Sequence, residues 1–143
     1  WIVIQQRIDG SLSFDQNWTT YKAGFGAYNA NFWLGLEKIY QLTNSASYRL
    51  RFEVLSNGYW TSDEYDNFKI DSESLQYAIH VSGYSGDNLD ILNQPPHGAS
   101  LVSHNGMKFS TPDRDNTPNR RNCGLSYHAG NWFNYCYAQN LNG

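Results

Sequence analysis

FSTPDRDNTPNRRNCGLSYHAGNWFNYCYAQNLNG, running from Phe109 to Gly143, holds both cysteines of the chain, a run of alternating acids and a cluster of aromatic residues. Asp113, Asp115 and Thr117 alternate in a segment broken by Pro112 and Pro118. Side-chain oxygens two residues apart can turn toward one centre while backbone carbonyls fill the gaps, which is how a loop seats a hard cation such as Ca²⁺. A loop of this Asp, Asn and Pro content is more often a plain turn. Cys123 and Cys136 lie thirteen positions apart. Closed as a disulfide, a loop of that length would add about 3 kcal/mol on the chain-entropy picture; left open, the pair would be two buried thiols with little apolar cover. Tyr127, His128, Trp132, Phe133, Tyr135 and Tyr137 crowd the same segment. Trp132 and Phe133 read as core, and an aromatic loop pinned at both ends would be a preorganised surface for a small ligand.

Outside this stretch, composition narrows the choices. With 143 residues, 40% hydrophobic and 16% aromatic, the chain can build one core and has too little length for two comfortable domains. A formal charge of −3 offers no basic field for nucleic acid, and Arg120 and Arg121 are the one basic pair in an otherwise scattered set. No apolar run approaches the length of a membrane span. Asn17-Trp18-Thr19 is a glycosylation sequon, which with a disulfide would point to secretion. An opening on Trp1 in mid-pattern reads as a processed or excised piece.

Trp1 to Ile8 begins as a β-branched run and predicts a buried strand, closed by a turn at Asp9-Gly10-Ser11. Ser13 with Gln16 resembles a capping box, and Phe14, Trp18 and Tyr21 recur at helical spacing until Gly24. A second helix is predicted from Gly35, with Leu36, Ile39, Tyr40 and Thr43 on one face and Thr43-Asn44-Ser45 at its end. Tyr48 to Leu55 alternates strictly, with Tyr48, Leu50, Phe52 and Val54 on one side. Gly58 then turns the chain into YWTSDEYDNFKI, and Tyr77 to Tyr84 alternates again, so an antiparallel meander is expected. His80 reads as a satisfied structural imidazole. From Gly83 the sequence turns loose and polar, with Pro95, Pro96 and Gly98 as punctuation. The chain divides as residues 1–82, helix and sheet, and 83–143, rich in loops.

FSTPDRDN, NCGLSYHAGNWFNYC and QNLNG resemble the calcium and disulfide region of the fibrinogen-like domain family, which includes fibrinogen β and γ C-terminal domains, ficolins, angiopoietins, angiopoietin-like proteins and tenascins. WIVIQQRIDGSLSFDQNWTTYKAGFG and FWLGLEKIYQLT are similar to the family's front half, so the resemblance covers nearly the whole chain. It implies an α+β fold, a twisted antiparallel sheet with short helices and a long loop-rich calcium and ligand region, truncated at both ends relative to the family. It implies a Cys123–Cys136 disulfide. It places the two calcium carboxylates at Asp115 and position 117, with carbonyl ligands at Asn119 and Arg121. Position 117 is Thr here, so one carboxylate is lost; Asp113 is the candidate to compensate, and otherwise the seat binds weakly or is empty. The resemblance also implies a cis peptide at Tyr135–Cys136, a pocket tyrosine at Tyr127, and Tyr137 where many members carry His.

Enzyme signatures are missing from the sequence: there is no GxSxG, no phosphate-cradling glycine loop, and no zinc spacing around His97 and His104. The acidic pairs Asp63/Glu64 and Asp113/Asp115 read as solvated, and no catalytic residue is assigned. The function implied by the resemblance is a secreted, lectin-like module of innate pattern recognition. It would bind acetylated sugars or microbial surface glycans in a calcium-dependent way through Tyr127, Tyr135, Cys136 and Tyr137, as a homo-oligomer glycosylated at Asn17. The alternative is an angiopoietin-like receptor-binding module, toward which FWLGLEKIY leans.

Overall fold

A computed structural model describes residues 1–93 and 103–143. Pro95, Pro96, His97 and Gly98 lie outside the described residues. The elements in order are β1 (Gln5–Gln6), α1 (Trp18–Ala23), β2 (Phe25–Gly26), β3 (Phe32–Trp33), α2 (Leu36–Ser45), β4 (Tyr48–Ser56), β5 (Tyr59–Ile70), a short 3₁₀ turn (Glu73–Leu75), β6 (Ile79–Gly86) and α3 (Cys123–Tyr127). They form two antiparallel three-stranded sheets, ordered β1-β3-β2 and β4-β5-β6. The α+β architecture and the meander are as expected.

The first strand is shorter than its hydrophobic run suggested. β3 offers only Phe32 and Trp33 to pair with Gln5 and Gln6, so the ladder has nowhere to extend. Trp1, Ile2 and Val3 are exposed in consequence. Helix α1 is likewise capped by a different residue from the one expected. Gln16 folds back on Ser13 instead, its Nε2 donating to the Ser13 carbonyl, and Asn17 becomes the N-cap, accepting from Thr20 N at 2.9 Å. An Asn side chain at this position satisfies a helix donor that would otherwise be orphaned.

The end of α1 crosses the start of α2 so closely that glycine is required on both sides. A Cβ on Gly24 would sit 2.3 Å from the Leu34 carbonyl oxygen, and one on Gly35 would sit 2.7 Å from that of Ala23. Both residues also have positive φ. α2 then buries Leu36, Ile39 and Thr43 against the second sheet.

β4 and β5 turn through Asn57 and Gly58, both at positive φ, with Ser56 facing Tyr59. That is the two-residue turn whose twist suits a hairpin. The expected alternation of β4 holds as far as Phe52, but Val54, Leu55, Tyr59 and Trp60 at the tip are exposed. Asp63, read as solvated, is instead 6% exposed: it accepts from Tyr84 Oη at 2.8 Å and from Asn88 N at 3.0 Å. Burial, with Asp63 beside it, pushes the Tyr84 hydroxyl up to about 12. Glu64 pairs with Arg51 on the surface.

The principal core is aromatic. Trp33 stacks on Phe109 at 6.0 Å and 28°, and Phe109 meets Trp132 edge-on at 5.0 Å. Their polar atoms are satisfied by backbone: Trp33 Nε1 donates to Tyr21 O, and Trp132 Nε1 to Tyr77 O at 2.7 Å. Phe109 and Trp132 enter this core from the two sides of the loop-rich segment, so the fold and the candidate site share one foundation.

Candidate functional site

The loop beginning at Phe109 is first tied to its neighbour by a bridge, with Ser110 N donating to Asn131 O at 2.9 Å and Asn131 N returning to Ser110 O at 3.0 Å. Pro112 and Asp113 then occupy a tight reversal in which Thr111 and Arg114 exchange backbone hydrogen bonds. Asn116 closes the turn by donating from Nδ2 to Phe109 O at 2.7 Å.

Asp113 and Asp115, two positions apart, point to different partners. Asp113 Oδ1 accepts from Trp18 N at 2.9 Å and from Thr111 Oγ1 at 2.7 Å. It therefore serves as a second cap on α1, where a carboxylate is also favoured by the helix dipole. Arg114 lies over the Trp18 ring at 4.2 Å, completing the same junction. Asp115 faces the other way, into the loop of Thr117, Asn119 and Arg121. Thr117 N donates to Asp115 Oδ1 at 3.0 Å and Thr117 Oγ1 donates to the same atom at 2.6 Å. The Asn119 and Arg121 carbonyl oxygens stand 3.5 and 3.4 Å from that hydroxyl oxygen.

This donor set does not fit a tightly held Ca²⁺, which takes six to eight oxygens at about 2.3–2.6 Å. One carboxylate faces the loop, its Oδ1 already accepts twice, and Asp113 is committed to α1. From Asp113 to Arg121 there are two acids and three arginines. Among the described residues no group of three or more His, Cys, Asp or Glu could hold a metal. Asp87 and Asp90 lie against β5, accepting from Ser62 N at 2.7 Å and Tyr65 Oη at 2.9 Å.

Cys123 and Cys136 are disulfide-bonded, with their Cα atoms 5.3 Å apart. Asn122 starts α3 by accepting from Leu125 N at 2.9 Å, and its Nδ2 donates to Pro112 O at 3.1 Å, so the cap also fastens the helix to the preceding loop. The disulfide forms a second small core with Ala129 and Phe133, against which Tyr127 packs. Tyr137 meets Tyr127 edge-on at 4.8 Å and 83°. The Arg121 guanidinium lies 5.6 Å over the Tyr127 ring while Nε donates to Ser126 Oγ. Tyr127, Tyr137 and the disulfide are thus brought together; Tyr135 is 47% exposed and makes no aromatic pair with them.

The expected cis peptide at Tyr135–Cys136 is not present; no peptide among the described residues is cis. The reversal is made instead by Cys136 itself, at φ +66, with Asn134 N donating to Cys136 O at 3.1 Å.

Sequence reasoning missed His104. It is fully buried and bridges two loops: Nδ1 faces Trp132 O at 2.8 Å, and Nε2 accepts from Ala138 N at 3.0 Å and Gln139 N at 3.2 Å. These partners require the neutral ring with its proton on Nδ1. Burial pulls its pKa from 6.5 to about 4. Nothing in Ser103-His104-Asn105-Gly106 signals this, because both partners come from residues about thirty positions downstream. His80, in contrast, is exposed and pairs with Asp71 at 2.7 Å. Asn17, the sequon residue, is exposed with Oδ1 engaged in capping.

The geometry is that of an α+β module whose one covalently closed loop presents an aromatic corner. The chain matches over residues 1–143 the family described as "Fibrinogen beta and gamma chains, C-terminal globular domain", and it belongs to that family, one of recognition and structural domains whose members are typically secreted. It is 42% identical to fibroleukin of Bos taurus over 146 residues, covering 100% of this chain and 32% of that protein. Against fibrinogen-like protein 1 of Bos taurus it is 39% identical over 151 residues, covering 100% and 48%. Among solved structures, the fibrinogen-like globe domain of human ANGPTL2 has a TM-score of 0.89 at 39% identity, covering 98% of this chain and 61% of that one. A lamprey fibrin D-dimer complexed with the peptide Gly-His-Arg-Pro-amide has a TM-score of 0.92 at 37% identity, covering 99% and 47%. The chain thus spans between 32% and 61% of the length of these relatives.

Proposed function

We propose that the chain is a secreted recognition module that holds an acetylated sugar, of the kind displayed on microbial surfaces, against the Tyr127–Tyr137 corner. The observation that carries this reading is the edge-on packing of these two rings at 4.8 Å above a core closed by the disulfide. A methyl group can lie on such an aromatic face without first ordering it, and neighbouring polar groups can take the acetyl oxygen. The fold's ability to hold a small ligand is supported by the lamprey relative, solved with a short peptide amide. A single aromatic corner binds weakly, so display as a homo-oligomer would supply avidity for repeated glycans. Asn17 would carry the sequon's glycan through Nδ2, the amide atom not used in capping. Calcium has no part in this reading, because the loop of Asp115 offers one carboxylate where the resemblance calls for two.

A second reading, a receptor-binding surface, is favoured by the β4–β5 tip, where Val54, Leu55, Tyr59 and Trp60 are exposed together, and by the likeness to an angiopoietin-like domain. Chromatography on N-acetylglucosamine resin separates the two. Wild-type protein should be retained and released by free N-acetylglucosamine, and Tyr127→Ala should bind about tenfold more weakly. Wild-type protein in the flow-through would discard the glycan reading and leave the receptor surface.

A further inference from the structure

We propose that the Thr117 hydroxyl braces the Asp115–Arg121 loop in the place where the family resemblance puts a cation, so that the loop keeps its shape without calcium. Thr117 Oγ1 is 2.6 Å from Asp115 Oδ1, 3.4 Å from Arg121 O and 3.5 Å from Asn119 O, so one atom stands among three of the oxygens that would surround an ion.

A hydroxyl has one proton to give. The short contact shows where it goes: to the Asp115 carboxylate, in a charge-assisted bond. Thr117 N donates to the same oxygen at 3.0 Å, so Oδ1 of the carboxylate that a cation would need accepts twice from within the loop. The two carbonyls lie too far from Oγ1 to be strong acceptors and act as walls around it.

Charge argues in the same direction. The family arrangement sets two carboxylates against a doubly charged ion. Here the loop keeps one, that of Asp115, while Asp113 is turned to Trp18 N. Ligand charge count moves calcium affinity over orders of magnitude, and this loop stands at the poor end. Arg121 uses its side chain to lie over Tyr127 while its carbonyl faces Thr117, so the hydroxyl-centred loop and the aromatic corner are joined through one residue. The brace therefore reaches the corner through Arg121. It does so whatever the corner binds, so this claim does not depend on the acetyl-sugar reading.

Thermal unfolding in millimolar CaCl₂ and in EDTA tests the claim without any ligand. Wild-type Tm should differ by less than about 1 °C between the two buffers. Thr117→Asp, which restores the second carboxylate, should gain a calcium-dependent rise of about 4 °C or more. Thr117→Val, which keeps the shape and removes the hydroxyl, should melt lower than wild type equally in both buffers. A wild-type Tm that rises with calcium, or a Thr117→Val protein that melts with wild type, overturns the proposal. Equilibrium dialysis of wild-type protein against Ca²⁺ decides the matter even if Thr117→Asp fails to fold: a Kd tighter than about 1 mM is incompatible with the hydroxyl as brace.

Discussion

The β4–β5 hairpin and the loop closed by Cys123 and Cys136 both reverse the chain, yet they are ordered by different means. The hairpin is a continuous ladder from Leu50↔Tyr65 to Ser56↔Tyr59, and its tip side chains are exposed. Backbone pairing there needs little from any one side chain. The disulfide loop has only the short helix α3 and isolated bridges. It is ordered by particular side chains reaching backbone: Asn131 Nδ2 to Gln139 O at 2.9 Å, Asn134 Nδ2 to Ser103 O at 2.9 Å, and His104 to three backbone groups. A ladder tolerates substitution, whereas a loop built on side chains loses a support with each one.

The sharpest way to break this contrast is to truncate one tryptophan in each region. Trp132→Ala removes a ring packed on Phe109 and Trp33 together with the bond to Tyr77 O, and should cost about 3–5 kcal/mol in urea unfolding. Trp60→Ala at the exposed tip should stay within about 0.5 kcal/mol. Equal losses would end the distinction.

Acid should find the loop through His104. Its folded pKa is depressed from 6.5 to about 4, chiefly by burial, so the unfolded chain takes up a proton that the folded one refuses. The resulting stability is fully present above about pH 6.5 and is lost as pH falls toward 4, amounting to about 3 kcal/mol. Urea midpoints at pH 7, 5 and 4 for wild type and His104→Gln should show a steeper acid loss in wild type. Carboxylates titrate in both proteins, so parallel curves would assign no role to this ring.

A smaller loss than either belongs to the junction between the two regions, where the cap is removed and the core is left intact. Asp113→Ala removes the acceptor from Trp18 N, and helix caps of this kind contribute about 1 kcal/mol. Faster amide exchange at Trp18, with Thr20 still capped by Asn17, would locate the loss at α1.

Much of the molecule is legible in its sequence. The 3.6 period of α2 and the alternation of β4 are local signals, and both elements are where those signals put them. The run from Trp1 to Ile8 misled because a strand's length is set by its partner, and β3 has two residues to offer. Ser13 and Gln16 misled for a related reason: the true cap was chosen in part by Asp113, 95 positions away.

The residues alone specified an α+β fold of the fibrinogen family, and they put a threonine at position 117, where the resemblance implies a carboxylate. Tertiary structure decided the rest. It turned Asp113 onto a helix and Asp115 onto a threonine, buried His104 between two loops, and made the return at Cys136 with a left-handed residue in place of a cis bond. Periodicity and turn chemistry act over a few residues and can be read in order. A hydrogen-bond partner from a distant segment is known only once packing has brought it within about 3 Å.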